Sequence, residues 1–224
     1  MGVRFLGEKG GEKMISLKNI TKRYGEKTVF ENFNLDIEEN KITVILGESG
    51  SGKTTLLNMI ARLTDFDGEI TGAENVSMVF QRDRLVPHLT VKDNILLVNK
   101  NVNVKALLDS VGLSGTENLY PKDLSAGMAR RVAILRAFSS PASLILMDEP
   151  LVNLDLSLKY SLIAEIKRLK AESGKTVIFV SHDVKETVML ADRIMVIGGG
   201  KILYDKPSAT ERALTTLLLS NFHA

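Results

Sequence analysis

The chain has 224 residues, with 29 lysines and arginines against 27 acidic residues, and no cysteine. That length suits one domain with a substantial core, the balance of +2 argues against a nucleic-acid footprint, and the missing thiols remove disulfides and cysteine chemistry. No run reaches the ~18–20 apolar residues of a membrane span and the start lacks a signal-peptide core, so the sequence reads as a soluble, cytoplasmic protein.

Residues 1–13 carry four glycines and little apolar periodicity, and are expected to be a flexible extension. Alternation at Ile15–Thr21 and Phe33–Ile37 predicts half-buried strands. Ile42–Leu46 (ITVIL) reads as a fully buried strand, and Thr54–Ala61 as a helix. A further apolar run stands at Val76–Phe80. Between Arg82 and Phe138 the strand signal disappears: Val91–Val98 and Val104–Val111 have helical spacing, and a long amphipathic segment follows Ser125. Apolar runs return at Leu144–Met147, Thr176–Val180 and Arg193–Ile197, with a helical pattern at Leu156–Leu169 between them. Ala213–Leu219 is a short helix candidate near the end. Buried strands alternating with helices argue for a parallel sheet covered on both faces.

Two segments carry chemistry on their own. GESGSGKTT at 47–55 fits G-x-x-x-x-G-K-[ST] between a buried strand and a helix. Gly47, Gly50 and Gly52 let the backbone curl so that N–H groups face phosphate oxygens, with Glu48, Ser49 and Ser51 completing the loop. Lys53 is placed to reach the β- and γ-phosphates, the Thr54 hydroxyl to ligate Mg²⁺, and Thr55 to add a phosphate hydrogen bond. LILMDEP at 144–150 puts Asp148 at a strand end, where its carboxylate can hold Mg²⁺ directly or through water. Glu149 is suited to polarise an attacking water as general base.

With Gln81, LSAGM at 124–128 and SHD at 181–183, these segments resemble, in kind and order, the ATP-binding subunit of ABC transporters over about residues 14–204. The resemblance implies an α/β fold: a P-loop NTPase core with a mainly parallel sheet, N-terminal antiparallel strands, and a helical subdomain inserted at about 82–138. The remaining residues, 14–224, would then form one domain. The resemblance further implies His182 on the γ-phosphate, Gln81 on Mg²⁺ and the attacking water, and Tyr24 stacked on adenine. Ser125, Ala126 and Gly127 would address the ATP of a second subunit, and Asp155 would cross the interface.

The chain departs from the usual LSGGQ twice. Met128 replaces Gln, as in importer ATPases of the nitrate/sulfonate/taurine branch, which residues 79–95 also resemble. Ala126 replaces Gly; if that position needs φ > 0, a strain of roughly 1 kcal/mol is expected, with slower hydrolysis or a weaker ATP-bound dimer. Asn153 stands where the D-loop usually has a small residue. The implied ligands are ATP and Mg²⁺. The implied partners are a second ATPase subunit in a homodimer, transmembrane permease subunits and an extracytoplasmic solute-binding protein, without nucleic acid, on the cytoplasmic face of the cell membrane as a peripheral subunit. A soluble ABC ATPase of DNA repair or translation is the alternative, although those usually carry a long coiled coil or two ATPase domains. A GTPase would need N-K-x-D, and Asn99-Lys100-Asn101-Val102 lacks the Asp. A catalytically weak structural subunit is opposed by intact Lys53, Asp148, Glu149 and His182.

Overall fold

Runs such as ITVIL and TVIFVS are rich in β-branched residues and buried at every position, so both of their faces need cover. In the computed structural model, which describes residues 14–222, they form the centre of a six-stranded sheet. The flexible extension expected at 1–13 lies outside the described residues. The sheet takes β5 (Val76–Val79), β6 (Leu144–Asp148), β7 (Thr176–Ser181), β3 (Ile42–Leu46), β8 (Arg193–Gly198) and β9 (Lys201–Lys206), in that spatial order. Neighbours from β5 through β8 are parallel, and β9 closes the edge antiparallel to β8. A second sheet is antiparallel, with β1 (Met14–Tyr24) between β2 (Lys27–Glu38) and β4 (Asp67–Thr71).

Alternate residues of the central strands feed two cores. Val44, Ile145, Met147 and Phe179 pack with α2 (Val91–Leu96), α3 (Val104–Ser110), α4 (Ala126–Ser139) and α5 (Leu156–Ser173) through Ile95, Leu108, Ile134, Leu135, Leu162 and Ile166. On the opposite face Ile45, Leu146, Ile178 and Val180 meet Leu56, Leu57 and Ile60 of α1 (Lys53–Ile60) and Ile15, Phe30 and Leu35 of the antiparallel sheet. A small third cluster joins Leu46 and Val196 to Leu214 of α7 (Glu211–Phe222) and to Val184 and Val188 of α6 (Val184–Leu190).

Three elements went unpredicted, each for want of a long apolar pattern. β4 buries only Ile70 of its five residues, β9 buries none deeply, and α6 has seven residues. The segment after Ser125 differs from its expectation more sharply. From Val132 to Ser139 every position of α4 except Arg136 is buried, so the helix is enclosed rather than amphipathic, and Arg130 is buried with it. Those arginines therefore need partners inside the protein.

Candidate nucleotide site

The carboxyl ends of four adjacent strands, β5, β6, β7 and β3, carry Gln81, Asp148 with Glu149, His182, and the glycine loop. The register is tight, since Asp148 pairs with Val180 and Leu46 with Ser181. Ligand crevices of parallel sheets lie outside such strand ends. Here a cleft of about 400 Å³ is lined by Tyr24, Lys27, Ser49, Gly50, Gly52, Lys53, Thr54, Thr55, Gln81 and Glu149.

Gly52 shows why the loop needs glycine. Its φ is 101°, and a Cβ there would stand 2.8 Å from Phe30 Cζ. As N-cap of α1 it offers no side-chain acceptor, so the first-turn amides of α1 keep their hydrogens for an anion. Lys53, 4% exposed, donates to the carbonyls of Gly47 and Glu48 at 2.7 Å each, which leaves one ammonium hydrogen for a phosphate oxygen. Burial pulls its pKa down, against the charges of Glu149, Asp148 and Glu48.

Thr54 Oγ1 donates to Asp148 Oδ1 at 2.9 Å. Burial pushes the Asp148 carboxyl up, opposed by that hydrogen bond, raised further by Glu149, and lowered by Lys53. Hydroxyl and carboxylate together form an all-oxygen pair of the kind that Mg²⁺ takes alongside phosphates and water, so the residues fit the ion. Glu149 has φ 45°, a conformation sparsely used by residues with a side chain, and its N–H donates to Val180 O at 3.1 Å. Its Oε2 lies 3.2 Å from His182 Nδ1. The expected general base and the histidine expected on the γ-phosphate thus face one another, with the His182 side chain 55% exposed. Lys22 Nζ stands 4.6 Å from the centroid of the half-exposed Tyr24 ring, a cation–π contact that helps fix the ring's plane.

Ser125, Ala126, Gly127 and Asp155 do not line this cleft. They surround a separate hollow with Met128, Asn153 and Leu158. Ser125 Oγ caps α4 by accepting from Met128 N at 3.3 Å, and Asp155 Oδ1 caps α5 by accepting from Leu158 N at 3.0 Å. The strain expected at Ala126 is absent: the residue opens α4 and is not among those with positive φ. The demanding position is Gly127, where a Cβ would stand 2.8 Å from Leu158 Cδ2. Asn153 does carry positive φ, 60°, which asparagine accepts more readily than most residues with side chains.

Sequence reasoning missed the groups that hold the Gln81 segment. Arg130 donates to the carbonyls of Phe80 at 2.9 Å and Gln81 at 2.6 Å, and its Nε lies 3.0 Å from Asp83 Oδ1. Arg136 reaches Arg84 O at 3.2 Å. Burial lowers the pKa of both arginines, against the charge of Asp83, and raises that of Asp83 against theirs. Asn94, fully buried, accepts from Val86 N at 2.8 Å and donates to the carbonyls of Val86, Leu89 and Thr90. Charged residues inside the apolar stretch RRVAILRAF were the available signal, because a buried arginine requires acceptors.

Comparison with known proteins agrees with this geometry. The ABC transporter family profile matches residues 30–152. The chain is 39% identical over 212 residues to the aliphatic sulfonates import ATP-binding protein SsuB 2 of Paraburkholderia xenovorans, covering 92% of this chain and 86% of that one. It is 39% identical to the spermidine/putrescine import ATP-binding protein PotA of Clostridioides difficile, covering 85% of this chain and 61% of the relative. A solved ABC transporter in an inward-facing conformation shares the fold, with a TM-score of 0.78 at 24% identity over 92% of this chain and 88% of that one. The chain belongs to the ABC transporter family, as an ATP-binding subunit.

Proposed function

We propose that the chain hydrolyses ATP to power import of a small solute through separate membrane permease subunits. The observation that carries the chemistry is the meeting of three strand ends, those of β5, β6 and β3, on one cleft, with His182 at the end of the neighbouring β7 reaching the Glu149 carboxylate from an adjoining hollow. Tyr24 would stack on the adenine, and the amides of residues 47–52 with Lys53 would hold the phosphates. Thr54, Asp148 and Gln81 would hold Mg²⁺, which when bound offsets phosphate charge. Glu149 would take a proton from the attacking water, and His182, already at its carboxylate, would steady the terminal phosphate.

The hollow at Ser125–Gly127 supports a second half-site used in trans. It stands apart from the P-loop cleft, so one chain supplies two incomplete surfaces. Two copies related by a two-fold axis would complete two sites, each with one chain's P-loop and the other chain's capped α4 N-terminus. Within residues 14–222 we assign a single ABC ATPase domain in which about 82–138 is a helical insertion. No helix among the described residues is long and apolar enough to cross a membrane. We therefore place the subunit peripherally, on the cytoplasmic face of the membrane, beside the permease and with a solute-binding protein outside.

The relatives named above are assigned to aliphatic sulfonates and to spermidine or putrescine. Those cargoes are anionic and cationic respectively, so import is the property they share. Affinity purification of a tagged copy from gently solubilised native membranes, followed by mass spectrometry, tests the reading. A multi-span permease with a solute-binding protein is expected. Recovery of ribosomes or DNA-repair proteins alone would overturn the transport assignment.

A further inference from the structure

His182 is more than half exposed, and its Nδ1 lies 3.2 Å from Glu149 Oε2. With more than half of the side chain in solvent, the ring's position depends on the backbone of residues 181–183. A buried polar cluster holds that backbone. Ser181 Oγ accepts from Asp183 N at 2.9 Å and donates to Glu186 Oε2 at 2.7 Å, with Ser181 2% and Glu186 6% exposed. Asp183 Oδ1 in turn accepts from Lys185 N and Glu186 N, and its carbonyl from Thr187 Oγ1. A buried carboxylate needs a cation or several donors to stay ionised. Here the cation comes from another element: Lys159 Nζ lies 2.6 Å from Glu186 Oε1 and 3.5 Å from Asp183 Oδ2.

Lys159 stands one turn into α5, and its N–H donates to Asp155 O at 3.0 Å. We propose that Lys159 is a positioning residue for hydrolysis: it ties the loop that carries His182 to the start of the helix that Asp155 caps. The inference rests on the ATPase reading above. If Asp155 faces a partner copy, a shift of α5 there moves His182 within the same chain. Coupling of this kind requires a physical link with fixed geometry, and the pair of short ionic contacts supplies it. Burial works against the charge on Lys159, but the hydrogen bond and charge of Glu186 and the charge of Asp183 outweigh it and raise its pKa.

The test is MgATP turnover by the full chain carrying Lys159→Met, Lys159→Arg or Glu186→Gln, with nucleotide affinity and thermal unfolding measured in parallel. Lys159→Met is expected to lower kcat by about tenfold while KM and ATP affinity stay within about twofold, because the ring is misplaced and the P-loop is untouched. Lys159→Arg retains the charge and restores most of kcat. Glu186→Gln keeps the shape of the cluster and gives the same split should the Met variant fold poorly. A chain carrying Lys159→Met and Glu186→Gln together is no slower than the worse single variant, as expected of one network. Unchanged kcat in Lys159→Met, a loss carried by KM, or additive losses would overturn the proposal. His182→Ala and Glu149→Gln serve as controls: if turnover survives them, the ATPase reading falls and this inference with it. If they abolish turnover and Lys159→Met leaves kcat unchanged, the inference alone fails.

Discussion

The methyl group at Ala126 sits on the first turn of α4, exposed and in ordinary helical backbone, so it stores no strain that glycine would relieve. Ala126→Gly is therefore expected to leave MgATP turnover within about twofold. It should lower the free energy of unfolding by up to about 1 kcal/mol, the propensity difference between the two residues in a helix. Turnover and urea unfolding of one preparation check both; a several-fold rise in rate would mean that the methyl obstructs phosphate. The sequence alone pointed to the wrong glycine here. A motif match shows that a residue is missing, but only the approach of Leu158 to Gly127 shows which position the fold keeps bare. The glycine loop was legible for the opposite reason: GESGSGKTT makes its own turn locally, between a strand and a helix already evident from their apolar pattern.

Between α4 and α5 lies a contact that no motif announced. Glu165 of α5 is 9% exposed, with Oε2 at 3.4 Å from Arg131 Nε of α4, and Arg131 also donates to Ser161 Oγ at 3.0 Å. Burial raises the Glu165 pKa from 4.5 to about 7, against the charges of Arg131 and Arg168. The folded chain thus binds this proton more tightly than the unfolded chain does, and stability falls as pH rises from about 4.5 to 7. Glu165→Gln removes the titration. It is expected to be more stable than the wild type by about 1–2 kcal/mol at pH 8, a discounted figure because the two arginines and solvent screen the charge, and by little at pH 5. Urea unfolding at the two pH values measures this; equal differences at both would show that Glu165 titrates normally. Elements of this kind mark the limit of pattern reading. The parallel strands were legible because each is a continuous apolar run, whereas β4, β9 and α6 owe their form to neighbours. The Arg130 and Arg136 contacts with residues 80–84 join positions about fifty residues apart, so periodicity carries no trace of them.

Over the whole molecule, the P-loop cleft and the Ser125–Gly127 hollow stand apart within one chain, and the proposed dimer would bring each against its counterpart on a second copy. ATP held between two copies would act as a ligand for the closed dimer, and hydrolysis would remove that ligand. Glu149→Gln separates the two steps. The amide keeps the shape of the side chain beside His182 and its capacity to hydrogen-bond there, but it cannot accept the proton of the attacking water. Turnover should fall by about a thousandfold, within the range for losing a general base. ATP should then persist at the interface, and the variant should elute from a sizing column at twice the monomer mass with MgATP and as a monomer without it. Loss of one acidic charge beside the phosphates also favours nucleotide binding, so the dimer is expected at lower ATP than the wild type requires. Adding Lys53→Ala removes a phosphate contact without touching the Ser125 surface, and should return the protein to monomer at the same ATP concentration. A variant that stays monomeric at saturating MgATP would separate the two surfaces for good, and leave the hollow at Ser125 to some partner other than a second copy.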